Sequence, residues 1–209
     1  MRQKGFTLIE LLVGLAISML CMVLVMMMFK QIMRTGAEAA RDAEYDAQLE
    51  TSMLIAQKLV QNAGYGSGAA ADIAVGSYNG KPAMFWRLIP NLDAAPTVYQ
   101  CSGLAEEVSA SGTRYIHKLR LLSDATPCAA GDDLATKSWT NQRTLIAIKN
   151  DSDAAIFSYA LGGNCSPFGA AHAEGTKKII ITGTRPDIDS SALGHTIDRA
   201  VCLKNIINP

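Results

Sequence analysis

Glu10 is the residue whose chemistry first asks for a reason. It stands in KGFTLIELLVGLAISML, Lys4 to Leu20, and it is the only charged side chain between Phe6 and Phe29. A carboxylate at the centre of a hydrocarbon layer costs about 2.5–3.5 kcal/mol even on lenient insertion scales. Nothing beside it in the sequence can neutralise it, so its partner has to come from elsewhere. Cysteine is the second chemistry-bearing type. Cys21 lies inside the apolar run, and Cys101, Cys128, Cys165 and Cys202 are spread over the rest of the chain. Zinc would want close pairs such as C-x-x-C, and none occurs. An even set behind an export segment reads as two disulfides formed in an oxidising compartment. Of the three possible pairings, closure of short loops favours Cys101 with Cys128 and Cys165 with Cys202.

The remaining candidates carry less. His117, His172 and His195 lie far apart, with neither an H-E-x-x-H spacing nor a nucleophile elbow. In the alternating run TRYIHKLRL, His117 shares a face with Tyr115, Leu119 and Leu121, which predicts a satisfied core or edge histidine. Asp187 and Asp189 in RPDIDSS fall short of the 6–8 oxygens of a calcium site and read as a solvated loop. Met22, Met26, Met27 and Met28 lack polar partners and read as adaptable apolar filler. No catalytic constellation, metal or cofactor is assigned. Asn150-Asp151-Ser152 and Asn164-Cys165-Ser166 match the glycosylation sequon, and neither is assigned as a site.

These residues have to be positioned by a few elements. Leu11 to Phe29 carries no charge at all, and as a helix it would span roughly 28 Å, about one hydrocarbon core. The run is too long for a cleaved secretory signal, and no A-x-A site precedes Lys30. Arg2 and Lys4 precede it, so the positive-inside rule keeps the short N-terminus in the cytoplasm and sends the rest outward. Beyond Phe29 the pattern becomes amphipathic. Tyr45, Leu49, Met53, Ala56, Val60 and Ala63 recur at spacings of four or three, with Glu44, Gln48, Glu50, Gln57 and Lys58 around them. No proline occurs before Pro82, and Gly64 and Gly66 supply a stop, so one helix from about Phe6 to Asn62 is predicted.

Ala63 to Pro82 is rich in Gly, Ala and Ser and reads as an irregular connection. Strands are predicted over Met84–Leu88, Arg114–Leu122, Leu145–Lys149, Ile156–Leu161, Lys178–Thr182 and Ala200–Ile207. Turns are expected at Ala130-Gly131-Asp132 and Gly162-Gly163-Asn164. The fold class is therefore α+β: a long N-terminal helix, half membrane-spanning and half amphipathic, packed on a mostly antiparallel β-sheet head. Acidic and basic residues number 19 each, so no basic field exists to draw in nucleic acid.

The segment KGFTLIELLVGLAI resembles the class III leader and helix start of type IV pilins and type II secretion pseudopilins. The resemblance implies removal of residues 1–5 by a membrane aspartyl peptidase that cuts between Gly5 and Phe6 and N-methylates Phe6. It further implies that Glu10 pairs, in the filament, with the Phe6 ammonium of an adjoining subunit. A second segment, LVQNAGYG from Leu59 to Gly66, is similar to the helix end of minor pilins of the PilW type and of pseudopilin J. Major pilins commonly carry a proline in the apolar segment, where this chain has Met27 and its neighbours, which points to a minor subunit. The implied organisation is leader 1–5, membrane or filament-core helix 6–29, amphipathic continuation 30–62 and disulfide-bonded head 63–209. The implied partners are other minor pilins, the major pilin, the prepilin peptidase, the inner-membrane assembly platform and a tip adhesin, with the membrane as the site before assembly. An anchored periplasmic enzyme or binding protein is the rival class, and it leaves Glu10 unexplained.

Overall fold

The computed structural model describes residues 7–165, 176–184 and 196–207. Among the described residues, one long helix, α1 (Leu8–Val60), is followed by eight strands. The chain divides into two compact units, Met1–Tyr45 and Asp46–Pro209. In the first, α1 is exposed on every side from Leu8 to Arg41, and its apolar part is long and hydrophobic enough to cross a membrane. A helix apolar all round has no face suited to water, so its solvent is lipid or other helices.

The second unit begins inside the same helix. Leu49, Ser52, Met53, Ala56 and Val60 are buried, the spacing of a single helical stripe. After α1 the chain makes a single-turn 3-10 helix at Ala70–Asp72, then β1 (Ile73–Tyr78), β2 (Lys81–Leu88), β3 (Gln100–Ser111), β4 (Arg114–Asp124), β5 (Trp139–Asn150), β6 (Phe157–Cys165), β7 (Thr176–Thr184) and β8 (Thr196–Ile207). They form two antiparallel sheets, β1-β2-β3-β4-β5 and β6-β7-β8. The stripe lies on the smaller sheet: a Cβ added to Gly183 in β7 would stand 2.9 Å from Met53 Sδ and 3.0 Å from Leu49 Cδ1. Ile179, Ile181, Val201, Leu203 and Ile206 are buried with it.

The larger sheet is covered on both sides around β2, whose residues from Ala83 to Arg87 are all buried. One face collects Ala83, Phe85, Cys101, Ala105 and Leu122 beneath Leu134 of the β4–β5 connection. Phe85 and Trp139 stack there, ring centroids 4.8 Å apart. Gly103 makes the room, because a Cβ on it would sit 2.7 Å from Phe85 Cδ1. On the opposite parity Met84, Leu104, Glu106, His117, Leu119 and Ile148 are buried.

Several expectations need correction. The Ala63–Pro82 stretch holds β1 and the 3-10 turn, because Asn79-Gly80 closes a two-residue hairpin between Tyr78 and Lys81. The predicted strands recover six of the eight, shorter than observed; β1 and β3 lie outside them. The β3 sequence QCSGLAEEVSAS lacks the β-branched density that marks a strand. Gly162-Gly163-Asn164 is not a turn but a bulge inside β6, where the register against β7 shifts between Gly162 and Asn164.

The helix exit depends on glycine. Gly64 has φ +73°, and a Cβ there would collide with Ile206 Cγ1. Its N–H donates to Arg87 O at 2.8 Å while Ile89 N–H donates to Tyr65 O at 2.8 Å, so the exit backbone is tied to the end of β2. Gly112 shares the positive φ but faces open space. Gly64→Ala is therefore expected to destabilise the folded chain by more than the ~1–2 kcal/mol of left-handed strain that Gly112→Ala incurs. Denaturant unfolding of the full chain in detergent, followed by circular dichroism, checks this; equal midpoints for the two variants would contradict the packing argument.

Candidate functional site

Three groups of polar residues stand out from apolar surroundings, one in the first unit and two in the second. The first is at the start of α1. Glu10 N–H and Leu11 N–H donate to Thr7 O at 3.1 and 3.3 Å, so Thr7 opens the helix. The Thr7 hydroxyl also donates to Glu10 Oε2 at 3.4 Å. Thr7-Leu8-Ile9-Glu10 has the S/T-x-x-E spacing of a capping box, a helix-start signal that the sequence analysis missed. Glu10 is exposed, with no other side-chain partner among the described residues, and its neighbours Leu8, Ile9, Leu11 and Leu12 are exposed as well. A carboxylate in an apolar surface is costly to bury without a partner of opposite charge. Gly5 and Phe6, the expected cleavage and methylation residues, lie outside the described residues, as do His172, His195, Asp187 and Asp189.

The second group ties the head together. Glu106 on β3 and His117 on β4 are both buried and make an ion-pair contact through His117 Nδ1. His117 Nε2 donates to Ser152 O at 2.8 Å. The Glu106 carboxylate also accepts from Ile156 N–H at 2.9 Å and Phe157 N–H at 3.1 Å. Both side chains therefore hold the connection from β5 to β6, which passes from the larger sheet to the smaller. His117 is a core histidine with both ring nitrogens engaged, one by Glu106 and one by Ser152 O. Burial, and next the charge of Glu106, push the Tyr159 phenol well above the ordinary tyrosine range.

A second buried charge pair clasps the helix exit. Arg87 Nη2 lies 2.6 Å from Asp72 Oδ1, and Arg87 Nη1 donates to Ala129 O at 2.6 Å. The Ser67 hydroxyl donates to the other oxygen of Asp72, and the guanidinium lies 5.7 Å from the centroid of the Tyr99 ring. Neither pair was legible from the sequence, because pairing across strands brings together residues with no common spacing.

Cys101 is bonded to Cys128 and Cys165 to Cys202. Cys101, Cys128 and Asp124 come close enough to suggest a metal site, but sulfurs joined to each other offer no thiolate. Cys21 is a free, exposed thiol on α1. Asn150, first residue of a sequon, is buried and therefore closed to a glycosylating enzyme.

Residues 1–26 match the family model for the prokaryotic N-terminal methylation motif. This is the prepilin signal of the type IV pilin-like proteins, and it implies an assembly context with a prepilin peptidase and other pilins, in a pilus or pseudopilus. Neither the curated proteins nor the solved structures include a match to this chain. The methylation motif covers the apolar start of α1 and includes Glu10, and the helix that carries it is consistent with inner-membrane anchoring.

Two outcomes are expected for the buried groups. Glu106→Ala leaves His117 Nδ1 and two backbone N–H donors unpaired in the interior and should cost roughly 3–5 kcal/mol, measured by urea unfolding; a loss below about 1 kcal/mol would mean that the pair is peripheral. For Tyr159 the folded chain keeps its proton where the unfolded chain releases it. Stability attributable to this group is complete below the free phenol value of about 10 and is lost as pH rises above it. Alkaline melts should show a smaller loss for Tyr159→Phe than for the wild type, and identical losses would refute it.

Proposed function

We propose that this chain is a minor pilin of a type IV pilus, a structural subunit and not an enzyme, which helps to initiate the filament near its tip and so supports twitching motility, adhesion or DNA uptake. The observation that carries the reading is Glu10, an exposed carboxylate on an apolar helix, four residues beyond the expected new N-terminus at Phe6. Cleavage after Gly5 creates an ammonium on Phe6. The Glu10 carboxylate of one subunit and the Phe6 ammonium of its neighbour neutralise each other when the helices pack, and the cost of leaving either buried alone enforces the register. Before assembly the helix stores the subunit in the inner membrane with its head in the periplasm; afterwards the head lies on the surface pilus.

Two features support a minor subunit. α1 runs without a break or a proline through Met22 to Phe29, so it lacks the helix-melting element common in major pilins. The helix exit LVQNAGYG, resembling that of PilW-type minor pilins, contributes Gly64 and Gly66, both at positive φ. The same exit resembles pseudopilin J, so a type II secretion pseudopilus is the second reading.

Mass spectrometry of a sheared surface-filament fraction tests the proposal. An N-methylated Phe6 terminus is expected there, at trace level beside an abundant major subunit. Processed protein confined to the inner membrane would favour the secretion pseudopilus, and an intact Met1 terminus throughout would overturn both readings. Glu10→Ala is expected to be cleaved normally but to be depleted from filaments; incorporation at wild-type level would remove the pairing argument. A bulky residue in place of Gly5 should accumulate as uncleaved precursor.

A further inference from the structure

The hairpin tip between β1 and β2 has a reactivity that its role in folding does not require. Asn79 and Gly80 are its two turn residues, with φ +50° and +76°, and Tyr78 pairs with Lys81 across them. Asn-Gly is the sequence this turn favours, because both positions need positive φ. It is the only Asn-Gly step in the chain. Both residues are exposed, and nothing lies within 4 Å of the place where a Cβ on Gly80 would stand.

The Asn79 carboxamide has no hydrogen-bond partner among the described residues. Three other asparagines are engaged: Asn91 Oδ1 accepts from Asp93 N–H at 3.0 Å, Asn150 Oδ1 from Asp151 N–H at 2.7 Å, and Asn205 Nδ2 donates to Gln61 O at 3.3 Å. A side chain on the following residue normally shields the backbone nitrogen that attacks an asparagine carboxamide. Gly80 has none.

We propose that Asn79 is a spontaneous deamidation site of the folded head. The Gly80 backbone nitrogen, its proton taken by water, attacks Asn79 Cγ. A Cγ–N bond forms, the Cγ–Nδ2 bond breaks and the amide nitrogen leaves as ammonia, closing a five-membered imide. A water molecule then opens the ring. Opening at Cγ leaves aspartate at this position; opening at the main-chain carbonyl leaves isoaspartate, in which the backbone runs through the former side chain and is one carbon longer. No oxidant or reductant is involved.

Either product places a new negative charge at an exposed tip. Isoaspartate also alters a two-residue turn that sets the β1–β2 register. Among the described residues β1 is an edge strand hydrogen-bonded to β2 alone, so no second described strand holds its register.

The test is peptide mapping by mass spectrometry of the full chain, kept folded in detergent at neutral to mildly alkaline pH, beside the same chain unfolded in urea. The expected result is progressive replacement of the amide by acid at Asn79 in the folded chain, as aspartate and isoaspartate, while Asn91, Asn141 and Asn205 stay intact. Asn79→Gly, which keeps a turn with positive φ, should show no conversion in this peptide and should keep amide-exchange protection in β1. The isoaspartate fraction should lose that protection. If Asn79 stays intact in the folded chain while the unfolded chain converts, the turn protects it and the site is refuted; conversion with unchanged β1 protection refutes the register consequence.

Discussion

One continuous helix has to satisfy two environments, and the rest of the molecule is organised around that constraint. Between Leu8 and Phe29 α1 is apolar around its whole circumference, so no orientation about its axis suits water. From Leu49 to Val60 the buried side chains, Leu49, Ser52, Met53, Ala56 and Val60, fall on one stripe. Because backbone hydrogen bonds are satisfied within a helix, the same secondary structure serves both settings, and side-chain identity alone sets the solvent. Glu10 is the single charged departure from the apolar half, and it lies within the methylation motif.

In the head, apolar burial sets the layers and polar groups fix how they connect. The stripe on α1 packs against Gly183 and its neighbours in β7, and Phe85 packs with Trp139 on the larger sheet. Burial of this kind is non-directional and tolerates sliding. The Glu106–His117 and Arg87–Asp72 pairs do not tolerate it, because Glu106, His117 and Arg87 each also bond to backbone of a distant segment. Glu106 and His117 hold the passage between the sheets, while Arg87 reaches the connection beyond Cys128. Buried pairs add little net stability over apolar packing, so their contribution is to select one arrangement among several that bury similar area.

Legibility differed by element. The alternation in TRYIHKLRL was enough to put His117 on the face of Leu119 and Leu121, since side chains in a strand alternate by geometry. Its partner Glu106 was invisible, because the pairing of β3 with β4 depends on the turn at Gly112 and on the shared core. The glycines misled in both directions. Gly162 and Gly163 resemble a turn but serve a bulge, and the glycine-rich stretch after α1 conceals β1, because glycine marks backbone permissiveness without saying which conformation uses it.

The sequence by itself determined the helix, its division into a fully apolar and an amphipathic half, and the methylation motif with Glu10. Each of these depends on residues near one another in the chain, where spacing translates directly into helical faces or enzyme recognition. Tertiary structure alone decided the division into two sheets, the partners of the buried charges, the lid over Phe85 and the space that requires glycine at positions 64, 103 and 183. Those features depend on which distant segments meet, and that follows from the collective packing of the whole head and leaves no local pattern to read.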